Sequence, residues 1–199
     1  MNDHKNVRQH ILDTGKVLIA GKGFASVGLN ELLMTAGVPK GSFYHYFKSK
    51  EAFGEALLED YFADYCTKLT VLLFPVASTD RTVDRLMAYW QHWIDAQLDH
   101  ELQEQCLVVK LSGEVCDLSD CMRAVLKQGT DRVEGILADA ITAAINEGSL
   151  SPELHPQETA TMLYELWLGA TLLTKIRRDD SALQLAFKAT RHKLHLSAE

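Results

Sequence analysis

The sequence predicts an all-α protein, with a small head of three helices at residues 1–50 and a larger helical body at residues 51–199. Apolar residues recur at steps of three and four along most of the chain, which is the period of an amphipathic helix. Gly and Pro stand between these segments, where they end helices. Two short helical segments flank Gly37 and Pro39, in the pattern of a helix-turn-helix.

The first helix of the head is predicted at residues 5–21 and ends at the glycines that follow. Its apolar side is formed by Val7, Ile11, Gly15, Leu18 and Ile19. Phe24 comes after this helix. We expect its ring to fill the small core of the head against Phe43 and Phe47.

The second helix is predicted at residues 29–36. Gly28 is expected as its N-cap, and Glu31 can reach back to the Gly28 backbone in a partial capping box. Gly37 follows the helix at the position where a left-handed residue is favoured. Pro39 then prevents the helix from continuing, since proline has no backbone N–H.

The third helix is predicted from about Lys40 to Phe47 and has two distinct faces. Phe43, Tyr46 and Phe47 lie at i, i+3 and i+4, which predicts a core-facing stripe. The other surface consists of Gly41, Ser42, Tyr44, His45, Lys48 and Ser49. Its hydroxyl, imidazole and ammonium groups suit phosphate oxygens and base edges in a DNA major groove. Its first two members also lie at a helix start, where backbone N–H groups attract anions.

The segment Gly37–Glu51 resembles the recognition segment of the TetR family of dimeric transcriptional repressors, and the resemblance extends over residues 5–50. It implies binding to a palindromic double-stranded DNA operator. The DNA-binding residues that it implies are Gly28, Lys40, Gly41, Ser42, Tyr44, His45, Lys48 and Lys50. Family members usually carry Ser or Thr at the Gly28 position, so one hydroxyl contact is missing here. The alternative is an ordinary helical hairpin with a solvated polar face.

The distribution of charge favours DNA binding by the head alone. The whole chain carries a net charge of -7, which by itself argues against a nucleic-acid partner. Residues 1–50, however, contain seven basic and three acidic side chains, whereas residues 51–199 contain thirteen and twenty-four. Three further features predict a cytoplasmic protein with no membrane partner. The amino terminus is polar, the apolar runs are too short to span a membrane, and the cysteines lack the spacing of a disulfide framework.

The body is predicted to contain six helices, at about residues 50–73, 80–98, 101–113, 118–147, 156–177 and 180–194. The first of these would connect head and body. Residues 159–176 are apolar on several sides, which predicts a helix buried all round. The resemblance implies that the last two helices pair with those of a second subunit in a homodimer. Burial of this helix within a monomer is the alternative.

Cys106 is the cysteine whose surroundings favour reactivity. It stands near a predicted helix start with Lys110 one turn later, and both features stabilise thiolate. Cys66 is expected to be a small buried hydrophobe, no role is assigned to Cys116 and Cys121, and we expect neither a metal site nor a cofactor. Lys175 shares a helix face with Leu168 and Leu172. Its amine is either desolvated and nucleophilic or extended to water.

The segment Cys106–Ser119, with Leu166–Ala170 and Lys175, resembles a redox-sensing member of the same family over nearly the whole chain. This implies a repressor that senses reactive chlorine species and electrophiles, with Cys106 as the sensing thiol. It also implies that Lys175 joins the oxidised sulfur through a sulfur–nitrogen bond. One alternative is release from DNA by a noncovalent apolar ligand, with the cysteines structural. A thiol enzyme is the other, but no base is placed around Cys106, so we expect no enzyme.

Overall fold

The computed structural model describes residues 3–98 and 106–196, and within these ranges all regular secondary structure is α-helical. The elements are α1 (Asp3–Lys22), α2 (Leu29–Ala36), α3 (Lys40–Phe47), α4 (Lys50–Leu73), α5 (Thr82–Leu98), α6 (Leu107–Leu118), α7 (Asp120–Asn146), α8 (Pro156–Arg177) and α9 (Ser181–Lys193). The predicted all-α class is therefore confirmed. Within the same ranges, no helix combines the length and apolar character needed to cross a membrane.

The boundary between α6 and α7 differs from the prediction. A helix was expected to end near residue 113, but α6 continues to Leu118. Ser119 then interrupts the helix with an extended backbone, at φ -152° and ψ 117°. Its hydroxyl accepts the Met122 N–H at 3.2 Å, so this serine caps the start of α7. Residues 101–105 of the predicted segment lie outside the described residues.

One compact unit comprises the described residues of 1–64 and 101–129. Its small core contains Phe43, Phe47 and Phe53, whose ring centroids lie 5.1–5.6 Å apart. Phe53 of α4 thus occupies the place expected for Phe24. The Phe24 ring is buried instead against Gly54, where a Cβ atom would come within 2.6 Å of it. The absence of a side chain at Gly54 makes room for this ring.

The second unit comprises the described residues of 65–100 and 130–199. A cluster of tryptophans forms its core, with Trp90 stacked on Trp167 at 4.7 Å between ring centroids. The Trp167 indole N–H donates to the Thr190 hydroxyl, and the Trp93 indole N–H donates to the Thr171 hydroxyl, both at 2.9 Å. These buried hydrogen bonds fix α5, α8 and α9 against each other, because an unpaired buried N–H is costly.

Candidate nucleic-acid interface and thiol site

The turn between α2 and α3 has the geometry that its glycine and proline predict. Gly37 is left-handed, at φ 63° and ψ 30°. The Val38 N–H donates to the Leu33 carbonyl at 3.1 Å, and the Gly37 N–H donates to the Met34 carbonyl at 3.2 Å. This pair of bonds is a Schellman motif, which satisfies the last carbonyls of α2. Pro39 then forms the N-cap of α3, so the turn sets the angle at which α3 leaves α2.

Helix α3 presents one apolar and one polar face, as predicted. Phe43 and Phe47 are buried, whereas Tyr46 is only half-buried and so lies at the border of the core stripe. The exposed polar face consists of Lys40, Gly41, Tyr44, His45 and Lys48. Its donors and positive charges project from a helix that ends a helix-turn-helix, which is the arrangement needed to enter a major groove.

The aromatic side chains of this polar face are held by their neighbours. The Tyr44 ring is 43% exposed, yet it meets the Phe43 ring edge-on at 5.6 Å between centroids. The Lys40 ammonium lies 5.8 Å from the centre of the Tyr44 ring. His45 packs edge-on against Tyr46 at 4.9 Å. Rings that are already ordered lose less conformational entropy when they bind a partner.

The backbone of the interface contributes fewer donors than expected. The Ser42 N–H donates to the Pro39 carbonyl at 3.0 Å, so it is not available to a phosphate. Gly28 and Gly41 both have open space around the position of a Cβ atom, which leaves their backbones accessible. The Glu31 carboxylate forms an ion pair with Lys22. The expected capping box is absent from the contacts of the described residues.

The two lysines at the end of α3 occupy different environments. Lys48 is exposed and has a left-handed φ of 55°, which is uncommon outside glycine. The Lys50 ammonium instead donates to the carbonyls of Phe24 at 2.7 Å and Ala25 at 3.4 Å. It also lies 4.6 Å from the centre of the Phe24 ring. Burial lowers the pKa of Lys50, although the nearby Glu114 carboxylate partly offsets that effect. This arrangement differs from the phosphate contact predicted for Lys50.

Glu114 of α6 is a residue of this region that the sequence analysis missed. Its carboxylate accepts the Phe24 N–H at 2.9 Å and also the Ala25 N–H. No local signal identifies such a contact, because the partners are about ninety residues apart in the chain. In the sequence, Lys110 and Glu114 stand one helical turn apart and look like an ordinary surface ion pair.

Cys106 caps the amino end of α6, which confirms its predicted place at a helix start. Cys106 is only 9% exposed, and its backbone carbonyl accepts the Lys110 N–H at 3.2 Å. The Lys110 ammonium reaches the Gly21 carbonyl at 3.5 Å. The thiol therefore lies at a positive helix end, in a nearly closed environment.

The other cysteines differ in accessibility. Cys66 is buried, Cys116 is half-buried and Cys121 is exposed, and no disulfide links any cysteine within the described part of the chain. Burial raises the pKa of the Cys66 thiol, and the positive charge of Arg132 opposes this shift. Among the described residues, no cluster of three or more His, Cys, Asp or Glu side chains could hold a metal ion.

Lys175 lies in the second unit, whereas Cys106 lies in the first. Lys175 is exposed in the single chain, so the single chain does not desolvate its amine in the way considered from the sequence. Leu168 is half-buried and Leu172 is exposed on the same face of α8. A long side chain flanked by leucines in this way can cover apolar surface with its methylene groups.

Helix α8 is not buried all round within the single chain, which contradicts only the alternative of burial within a monomer. One side packs into the tryptophan core, but an exposed stripe runs along the opposite side. The stripe consists of Met162, Leu166, Gly169, Leu173 and Ile176. These positions follow steps of four and three, which is the repeat of a helix–helix seam. The helix is apolar on several sides, as predicted, but a single chain leaves this stripe uncovered.

Two family models match the chain. The model described as bacterial regulatory proteins, tetR family, matches residues 11–57. The model described as a tetracyclin repressor-like C-terminal domain matches residues 82–190, which is more than half of the chain. The first match contains the helix-turn-helix, and the second contains most of the remaining helices.

Individual relatives extend this similarity over nearly the whole chain. The HTH-type transcriptional repressor NemR of Escherichia coli (strain K12) is 45% identical over 188 residues, which are 94% of each protein. The HTH-type transcriptional repressor DhaR of Mycobacterium sp. (strain GP1) is 32% identical and covers 92% of this chain and 91% of its own. The crystal structure of the reduced form of E. coli NemR superimposes with a TM-score of 0.88 at 42% identity, over 97% of both chains. The protein therefore belongs to the TetR family of bacterial transcriptional regulators.

Proposed function

We propose that the protein is a cytoplasmic transcriptional repressor that binds a palindromic operator as a homodimer and releases it when Cys106 is oxidised or alkylated. The observation that carries the DNA-binding part is the exposed polar face of α3, with Tyr44, His45 and Lys48 fixed by the Schellman turn before it. Base contacts supply specificity and phosphate contacts supply affinity in such interfaces. The relatives named as repressors support the same role.

The exposed stripe of α8 supports the homodimer. Ile176 is 68% exposed, and Leu166 and Leu173 also lie in water in a single chain. A second copy can cover this stripe with its own, since a two-fold interface uses the same surface on both subunits. Gly169 has open space at its Cβ position, which lets two helices approach closely. Two heads related in this way would read two half-sites about one DNA turn apart.

The position of Cys106 supports release through its thiol. An added group at a residue that is only 9% exposed must displace its neighbours, because protein cores are close-packed. The displacement would begin at the first turn of α6. The similarity to a relative whose reduced form was crystallised also agrees with a role for redox state.

Lys175 is proposed as the partner of the oxidised sulfur, on the resemblance described above. The Cys106 thiolate attacks the chlorine of hypochlorous acid, which gives a sulfenyl chloride and hydroxide. The Lys175 amine then displaces chloride and loses a proton, forming a sulfur–nitrogen bond. The thiolate and amine together lose two electrons, while hypochlorous acid is reduced to chloride and water. A cross-linked peptide pair that is two hydrogens lighter than its separate members would identify this product by mass spectrometry.

A noncovalent inducer is the second candidate, and one observation favours it. The buried Trp90 indole N–H and Thr174 hydroxyl in the second unit have no hydrogen-bond partner within the described residues. Buried polar atoms normally have partners, so a ligand with acceptor groups could supply them. In this reading Cys106 is a packing residue.

Selection from a pool of random DNA duplexes tests the proposal. The reduced protein should enrich a palindrome and bind it with strong salt dependence. Treatment with hypochlorous acid or N-ethylmaleimide should then release the duplex. Failure to enrich any duplex would overturn the repressor role, whereas release by small apolar molecules alone would favour the noncovalent candidate.

A further inference from the structure

We propose that Glu114 is a positioning residue that links α6 to the helix-turn-helix and holds it in the arrangement that binds DNA. This inference rests on the proposed function, since it names the contact through which modification of Cys106 would reach the head. We refer to the contacts among Glu114, the loop Gly23–Ala25 and Lys50 as the latch.

The Glu114 carboxylate binds the loop that leads from α1 into α2. One oxygen accepts the Phe24 N–H at 2.9 Å, and the other accepts the Ala25 N–H. Gly23 approaches the same carboxylate so closely that a Cβ atom would lie 3.0 Å from its oxygen. Gly23 is also left-handed, at φ 87°, so a side chain there would be strained as well. The loop is therefore shaped to receive this carboxylate.

Lys50 binds the carbonyls of the same two residues. Its ammonium donates to the Phe24 and Ala25 carbonyls, at 2.7 Å and 3.4 Å. Lys50 is the first residue of α4, and two residues separate it from the end of α3. The latch therefore connects α6 to the loop between α1 and α2, and this loop in turn to the first residue of α4, just after α3.

Cys106, Lys110 and Glu114 follow each other at steps of four, so they share one side of α6. Lys110 reaches the end of α1 through the Gly21 carbonyl at 3.5 Å. The helix rise places Glu114 about 12 Å along the axis from Cys106. A helix of three turns moves nearly as one piece, so a displacement at Cys106 is carried to the carboxylate.

A third contact lies at the far end of α6. The Ser119 hydroxyl, just after the helix, donates to the Glu51 carboxylate of α4. Lys110 and Glu114 of α6 thus contact the head, and Ser119, just after α6, contacts the first turn of α4. Of these three residues, Glu114 is the one that accepts backbone N–H groups of the head and lies beside Lys50. We therefore expect the charge of Glu114 to contribute most to holding α6 against the head.

The test compares operator affinity of full-length Glu114→Gln with that of the native protein and of Glu59→Gln, before and after alkylation of Cys106 with N-ethylmaleimide. Glu59 is an exposed glutamate of α4 that serves as the matched control. The reduced Glu114→Gln protein should bind about tenfold more weakly, and alkylation should weaken it much less than it weakens the native protein. Glu59→Gln should behave as native.

Hydrogen exchange keeps the test decisive if the variant folds poorly. The Phe24 and Ala25 amides of the native protein should be protected when Cys106 is reduced and should lose protection when it is alkylated. If the alkylated native protein releases DNA while those amides stay protected, or if Glu114→Gln responds to alkylation like native, the latch is overturned and the repressor role stands. If the alkylated native protein keeps its DNA, the proposed function itself fails.

Discussion

The Lys50 ammonium lies 2.7 Å from the Phe24 carbonyl oxygen and 4.6 Å from the centre of the Phe24 ring. This relationship ties the first turn of α4 to the loop before α2. A lysine in this position supports the shape of the head from within. Its neighbour Lys48, which is exposed, stays available to DNA phosphate.

Replacing Lys50 by Met should therefore lower the stability of the head. The hydrogen bonds from a charged donor would be lost, at a cost of about 1–2 kcal/mol after the gain from relieving its desolvation. Thermal unfolding followed by circular dichroism measures the change. The slope of operator affinity against salt should stay nearly constant, and a large fall in that slope with an unchanged melting temperature would return Lys50 to the DNA interface.

Replacing Lys48 by Met should change the salt dependence of operator binding and leave the stability of the head nearly unchanged, which is the opposite of Lys50→Met. Loss of one phosphate contact lowers the slope of log affinity against log salt by about one. The side chain is exposed, so the melting temperature should change little. A titration of operator binding at several salt concentrations, run beside Lys50→Met, separates the two lysines. Equal slopes for Lys48→Met and the native protein would remove Lys48 from the interface.

Alanine at Tyr44 or at His45 should weaken operator binding by about 1–3 kcal/mol each, the typical value of a good base contact. Neither change removes a buried side chain, because both residues are exposed. Fluorescence anisotropy with a labelled operator gives the affinities, and His192→Ala on the exposed side of α9 is the matched control. Native affinity in both Tyr44→Ala and His45→Ala would refute the proposed DNA-binding face.

The cysteines should react with alkylating reagents in the order of their accessibility. Near neutral pH, Cys121 should be modified first and Cys66 last, because Cys66 is buried and its pKa is raised by burial. Peptide mapping after brief treatment with iodoacetamide measures the order. Rapid labelling of Cys66 in the folded protein would contradict it.

The raised pKa of Cys66 also predicts a pH dependence of stability. Folding favours the neutral thiol, so its contribution is fully present below the ordinary pKa of 9.0 and is lost as pH rises through the higher folded value. Urea unfolding between neutral and alkaline pH should show this loss. Cys66→Ala should lose less stability over the same alkaline range, whereas Cys121→Ser should follow the native curve.

Leu173→Glu should convert the dimer into monomers. Leu173 is 39% exposed on the α8 stripe, so the charge would enter a subunit interface without entering the core of the single chain. Leu72→Glu on α4 is the control, since Leu72 is 37% exposed and lies outside that stripe. Sedimentation velocity distinguishes the species. A dimer that survives Leu173→Glu would place the interface elsewhere.

Local chemistry made much of the head predictable. Gly37 and Pro39 fixed the turn, and the spacing of Phe43 and Phe47 fixed the buried side of α3. The sequence places Cys106 near a helix start, and the structure puts it at the N-cap of α6. Each of these depends on neighbours within a few residues, where helix capping and side-chain period decide the outcome.

Contacts distant in sequence were not predictable in the same way. Phe24 was assigned to the wrong part of the core because Gly54, thirty residues later, opens a space for its ring. The hydrogen bonds of Lys50 could not be foreseen because its partners are backbone carbonyls, which leave no mark in the sequence, and its DNA contact stays a prediction. The apolar composition of α8 predicts burial, but it cannot distinguish a face that packs in the core of the chain from a face that packs against a second subunit.

The most direct test of the account is operator affinity after treatment with hypochlorous acid, measured for the native protein and for Cys106→Ser. The native protein should lose about a hundredfold in affinity, within the usual range of allosteric coupling, while Cys106→Ser should keep the affinity of the reduced native protein. Equal release of both proteins by the oxidant would contradict sensing through Cys106.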